Sequence, residues 1–158
     1  MAIYSLDDVI TSLDAIVKEC AAEGNTNGYF ASLYRRMTMA VKDGVTNGFF
    51  ENAERMVRLD VIFASRYIEA FHAYSRKQPC TTSWQFAFDG RKNHSLTVIQ
   101  RLLLGINTHI NLDLAVAAAV AAPGKKYMSS NRIFIKTTMS SLLYLMMCSV
   151  VSNLFGFQ

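Results

Sequence analysis

The chain has 158 residues, half of them hydrophobic, and a formal charge of +4. That length and composition fit one domain with a sizeable core and exclude a disordered chain. The basic residues are scattered, with no Lys/Arg run, which argues against a nucleic-acid partner held by a basic patch. The three cysteines, Cys20, Cys80 and Cys148, are odd in number and far apart, with no CxxC spacing, so they read as reduced thiols of a cytoplasmic protein. The N-terminal MAIYSLDDVI has neither a basic nor an apolar leader region and does not read as a signal peptide.

The first helix is expected over residues 5–23. Ser5 is a suitable N-cap, and Asp7 and Asp8 fall in the first turn, where the helix dipole favours anions. Leu6, Val9, Ile10, Leu13, Ile16, Val17 and Cys20 repeat at helical spacing, and Gly24 is the stop. A second helix is expected over 29–43, with Tyr29, Phe30, Leu33, Tyr34, Met37 and Val41 inward, ended by Gly44 and Asn47-Gly48. The third is expected over 50–77. Met56, Leu59, Phe63, Tyr67, Ala70, Phe71 and Tyr74 share its apolar face, and Asp60 sits inside that face. Arg55, Arg58, Arg66, Glu69, His72 and Arg76 fall on the other side. A buried carboxylate needs a partner, and Arg66 or the central helix is expected to supply it. A short helix, SWQFAFDG, capped by Thr82 or Ser83, carries the only tryptophan, Trp84, read as a core plug.

The central element is expected over 98–122, VIQRLLLGINTHINLDLAVAAAVAA. Asn93-His94-Ser95 leads into it and Pro123-Gly124 ends it. From Leu102 to Ala122 its only charge is Asp113, so it is expected to be buried on most sides. At about 100° per residue, Leu102, Leu103, Ile106, Ile110 and Leu114 form one broad apolar arc. His109 and Asp113 form one polar stripe, and Gln100, Asn107 and Asn111 form another on the roughly opposite side. Buried polar groups must be hydrogen-bonded, so both stripes call for partners, a ligand or a metal.

After Asp113 there is no further acidic residue, and 137–158 carries no charge of any kind. That segment is just long enough to span a bilayer, with Lys125, Lys126, Arg132 and Lys136 before it, which fits a tail anchor; a buried C-terminal helix is the plainer alternative. A third reading uses the single codon of methionine. In a shifted frame, Met146-Met147-Cys148 encodes Asp then Val, and 131–149 permits an acidic amphipathic helix. Residues 125–158 are therefore read as an anomalous C-terminal helix of the same domain, frameshifted near 124–126 or truncated.

The runs LYRRMTMAVKDGV, RLDVIFASRYIEAFHAY, SWQFAFDG and LLLGINTHINLDLAVAAAVAAPG resemble bacterial proteins grouped as domain-of-unknown-function family 5995. The resemblance covers about residues 5–124, and GIN-x-HIN-x-DL is its most specific part. Family members continue with a DF-x-x-IN-x-x-L helix, from which this chain departs after Gly124. The resemblance implies no established activity. It marks Asp60, Arg66, Tyr67, Asn107, His109, Asn111 and Asp113 as the motif positions.

Two chemistries fit His109 and Asp113. One is a divalent metal held with Asp60 as third ligand; the other is a histidine base oriented by a carboxylate. A structural pair that hydrogen-bonds helices together is the blander reading, and helix-to-helix glue is likewise the leading expectation for Asp60. Asn107 and Asn111 suit a polar ligand or helix packing. Glu69-x-x-His72 matches one half of a di-iron bundle motif, but it occurs once and on the charged face. Cys80 lacks the surroundings of a nucleophile, and no phosphate loop, GxSxG elbow or HExxH is present. The expectation is an all-α single domain, 1–124, of five or six helices around the central one. It binds a metal or small polar ligand at a His/Asp/Asn-lined buried site, with Arg66 and Tyr67 among the binding residues. Alternatively it is a structural or interaction protein, or, if the C-terminal segment is an anchor, a membrane-anchored one.

Overall fold

Ser5 begins the first helix with a reciprocal cap: its hydroxyl accepts from the Asp8 backbone N–H at 3.1 Å, and the Asp8 carboxylate accepts from the Ser5 N–H at 3.0 Å. In this computed structural model, which describes residues 4–121, the helix is α1, Leu6–Ala22. Gly24 takes the left-handed backbone conformation, φ +62°, that ends it. α2, Gly28–Thr46, returns antiparallel against α1. The two backbones approach closely at Gly28, where a Cβ would lie 2.7 Å from the Cys20 Cβ. α2 runs through Gly44 instead of stopping there, and the glycine leaves room for the Phe50 ring, 2.8 Å from where a Cβ would lie.

α3, Ala53–Ser75, starts at Asn52, whose side chain accepts from the Arg55 N–H at 2.9 Å. α4 is the short Thr82–Asp89, followed by a 3₁₀ turn, Gly90–Lys92. The central helix opens later than Asn93. Thr97 and Gln100 form its capping box, and α5 runs Val98–Thr108. It then widens into a π turn, His109–Asp113, in which the Leu114 N–H reaches back to the His109 carbonyl, and continues as α6, Leu114–Ala121. One uninterrupted α-helix was expected here; the wider turn falls on the polar motif itself, where such turns often sit.

The described residues thus form an all-α bundle. α1, α2 and α3 pack on one another, α5 lies against α2 and α4, and α6 lies against α3. The core runs from Val9, Leu13 and Ile16 through Tyr34, Met37 and Val41 to Phe63, Tyr67, Phe71 and Trp84. The central helix is less enclosed than expected: Val98, Ile99, Leu103 and Val120 are exposed. Leu103, placed on the apolar arc from its spacing, therefore points away from the core. By length and composition alone, Val98–Ala121 would suffice to cross a membrane, with mean hydropathy 1.4 and a third of its window buried. The expected C-terminal helix of 125–158, with its anchor and frameshift readings, lies outside the described residues.

Gly105 is the close contact between α5 and α2. A Cβ there would come within 2.7 Å of the Phe30 ring, and that ring is itself packed edge-on against Tyr67, Trp84 and His109. Alanine has the better helix propensity by about 1 kcal/mol, but overpacking a filled core costs roughly 1–3 kcal/mol. Gly105→Ala is therefore expected to be net destabilising by up to about 2 kcal/mol, read as a lower urea midpoint. An unchanged or higher midpoint would show that Phe30 can yield.

Candidate functional site

Asp113, at the end of the π turn, is fully buried and accepts three hydrogen bonds. Arg66 of α3 donates through Nε to Oδ1 at 2.9 Å, and Trp84 of α4 donates through Nε1 to Oδ2 at 2.8 Å. The His109 Nδ1 lies 2.9 Å from the same Oδ2. One carboxylate thus joins α3, α4 and the central helix. Thr108 adds a bond from its hydroxyl to the Ser83 carbonyl at 3.3 Å. The Arg66 charge offsets the cost of burying the carboxylate, and the two neutral donors occupy further lone pairs.

His109 is enclosed by aromatic rings. Phe63 stacks on it at 3.6 Å and 9°, and Tyr34 meets it edge-on at 4.6 Å. Phe30, Trp84 and Tyr67 complete the enclosure at 5.7, 5.8 and 6.2 Å. Burial pushes the imidazole pKa down, opposed by its hydrogen bond to Asp113, so the ring is neutral at pH 7. A carboxylate held by Arg66 can only accept, so the single ring proton sits on Nδ1. Nε2 therefore carries the lone pair, and among the described residues nothing bonds to it. A neutral imidazole fixed by a carboxylate, with the far nitrogen free, suits a base or a ligand atom.

Three further buried side chains nearby have polar atoms with no partner among the described residues: the Tyr34 and Tyr67 hydroxyls and both oxygens of Asp60. Burial pushes the Asp60 carboxyl up to about 7. It also raises the Tyr34 hydroxyl well above its usual value, helped by the nearby charges of Asp60 and Asp113, and raises that of Tyr67.

The structure thus brings His109, Asp113 and Arg66 into direct contact, with Tyr67 against the histidine. It corrects two expectations about α3. Arg66 does not stay on the outer face, and it pairs with Asp113 and not with Asp60. Its long side chain reaches past the helix edge to the one carboxylate that is buried and close. Among the described residues, no three His, Cys, Asp or Glu side chains gather as a metal-holding group. Both oxygens of Asp113 accept hydrogen bonds, from Arg66, Trp84 and His109. Asn107 and Asn111 are not brought to the centre either. They are exposed, and the Asn111 amide donates to the Asn107 side-chain oxygen at 2.7 Å. That stripe faces solvent, so it needs no buried partner. Cys20 and Cys80 are free thiols. Burial raises both, Cys20 to about 11, so neither is poised as a thiolate.

Sequence reasoning missed Trp84 and Tyr34 as members of the centre. For Trp84 the signal was present: a buried indole N–H needs an acceptor, and Asp113 is the only carboxylate of the central helix. Tyr34 carried no such signal, since its position reads as ordinary core.

These features define an all-α helical domain built on a buried Arg–Asp–His–Trp network. Residues 6–134 match a family of unknown function (DUF5995), and the chain belongs to that family. No curated protein and no solved structure matches it.

Proposed function

We propose that this domain binds a small polar molecule, rich in hydrogen-bond donors, at the unpaired groups around His109. The observation that carries the reading is the coincidence of four buried side chains with unpartnered polar atoms, the Tyr34 and Tyr67 hydroxyls, the Asp60 oxygens and the His109 Nε2, in one aromatic core. An unsatisfied buried polar group costs about 1–3 kcal/mol, and such groups are rare enough in folded proteins to call for an explanation. The set is rich in acceptors: the His109 Nε2, the Asp60 oxygens and two hydroxyls that can turn either way. A donor-rich guest satisfies them. In this reading His109 is also the group placed to take a proton from the guest, with Asp113 and Arg66 holding the ring. A divalent metal at Asp60, His109 and Asp113 is the weaker form, since Asp113 would first have to release its donors.

A second reading has one observation in its favour. Asp113 ties three helices by itself, which suits a purely structural network in a non-enzymatic interaction protein.

Native mass spectrometry of the purified chain separates the two. The binding reading expects a stoichiometric non-covalent adduct in the wild type that is diminished in Tyr34→Phe and Tyr67→Phe. Elemental analysis then tells a metal from an organic guest. A wild type without adduct, with Phe variants each more stable by about 1 kcal/mol, would mean the hydroxyls are idle and would sink the binding reading.

A further inference from the structure

A helix as apolar as the central one is normally enclosed, yet one row of it faces outward. Ile99 and Leu103 are 46% and 55% exposed, and Ile106 and Ile110 continue the row half-buried. The four stand at i, i+4, i+7 and i+11, which is one stripe of a helix. From Leu102 to Ala122 the only charge is Asp113, and it is buried, so no charged side chain of that stretch guards the row. A contiguous apolar row on a surface marks a contact.

The chain itself carries a complementary row. Residues 137–158 hold no charge, and Leu143, Met147, Val150 and Leu154 repeat the same i, i+4, i+7, i+11 spacing. Met139, Leu142 and Met146 widen that stripe, whereas Ser141, Cys148 and Ser152 fall opposite it, with Leu145 among them. A stripe with serines at its back suits a helix laid on a protein groove better than one surrounded by lipid. The segment also lies within reach. Pro123-Gly124, just after α6, favours a reversal of the chain. Residues 122–138 can extend over more than about 50 Å, and the 24 residues of Val98–Ala121 span only about 36 Å. The family match likewise continues past Ala121, to residue 134. Neither row brings a charge into the contact, so docking desolvates no ion. We propose that the outer row of the central helix, Ile99, Leu103, Ile106 and Ile110, is the docking surface for the chain's own segment 139–154, seated through Leu143, Met147, Val150 and Leu154. This surface does not involve the groups around His109.

The full chain carrying Leu103→Cys reports the contact through its thiol, with peptide mass mapping to tell that thiol from the native cysteines. Docking should slow its reaction with a maleimide by about tenfold or more relative to the urea-unfolded chain, since reaction then waits on local opening. Adding Leu143→Glu and Met147→Glu should return the rate to the unfolded value. Ser141→Glu, on the opposite side of the segment, should leave the protection in place. Trp84 emission and circular dichroism check that each variant is folded; should the paired glutamates unfold the chain, Leu143→Ser carries the test through a partial loss of protection. A thiol that reacts at the unfolded rate in the folded chain would overturn the proposal. So would protection that disappears on dilution, which assigns the row to a second copy, or flotation of the chain with phosphatidylcholine vesicles, which makes the segment a membrane anchor.

Discussion

Replacing Asp113 by alanine is expected to lower the free energy of unfolding by about 3–5 kcal/mol, the range for removing one partner of a buried ion pair. The side chain is 1% exposed, and its loss strands three donors at once: the Arg66 Nε, the Trp84 Nε1 and the His109 Nδ1. Arg66, at 29% exposure, can turn toward water, but the indole and imidazole N–H groups cannot. Asp113→Asn keeps the shape but removes the charge and turns an N–H₂ toward donors, so it should fall in the same direction. Trp84→Phe removes one neutral hydrogen bond and some volume and should cost less than Asp113→Ala. Urea unfolding of the three variants gives the order. A loss below about 1 kcal/mol for Asp113→Ala would mean that the network adds little beyond packing.

Asp60 should act in the opposite sense. Burial raises its carboxyl from 3.8 to about 7 in the folded state. Between those values the unfolded chain has released the proton and the folded chain still holds it. Stability therefore falls as pH rises from about 4 to about 7 and stays reduced above that. Asp60→Asn removes this penalty. The variant should match the wild type near pH 4 and exceed it at pH 8 by up to roughly 4 kcal/mol. His109 has the opposite sign. Its lowered pKa means that the unfolded chain takes up a proton first as pH drops through 6.5, which costs stability on the acid side. Both proteins share that contribution, so the difference between their pH profiles isolates Asp60. A difference that is flat with pH would show that Asp60 titrates like an exposed carboxyl.

Helix identity was legible wherever a local signal existed. Ser5, Gly24 and the apolar repeat of α1 placed that helix within a residue at each end. The pairing of His109 with Asp113, and the burial of Asp60, were also legible, because both follow from angular position on one helix. What failed depended on reach between helices. Arg66 leaves the face assigned to its Cα because its stem is long, and no single-helix projection contains that freedom. Asn107 and Asn111 read as buried because their helix lacks charge, but the missing charge did not mean missing solvent. Gly44 read as a stop because glycine often is one; here it makes room for Phe50. The π turn left no mark at all, since its residues fit an α-helix equally well by composition.

That turn sets how the two halves of the central helix are aimed. A π turn holds one residue more than an α turn, so α6 is rotated out of phase with α5. The first half faces α2 and α4, while the second faces α3. The residues at the phase change are His109–Asp113, and the first and last of them, His109 and Asp113, are the central helix's members of the buried network. Architecture and chemistry therefore share one short segment, and neither can drift without the other. A change that rewound the helix there would re-aim α6 and dissolve the centre in a single step, so the polar motif works as the joint of the bundle as well as its candidate site.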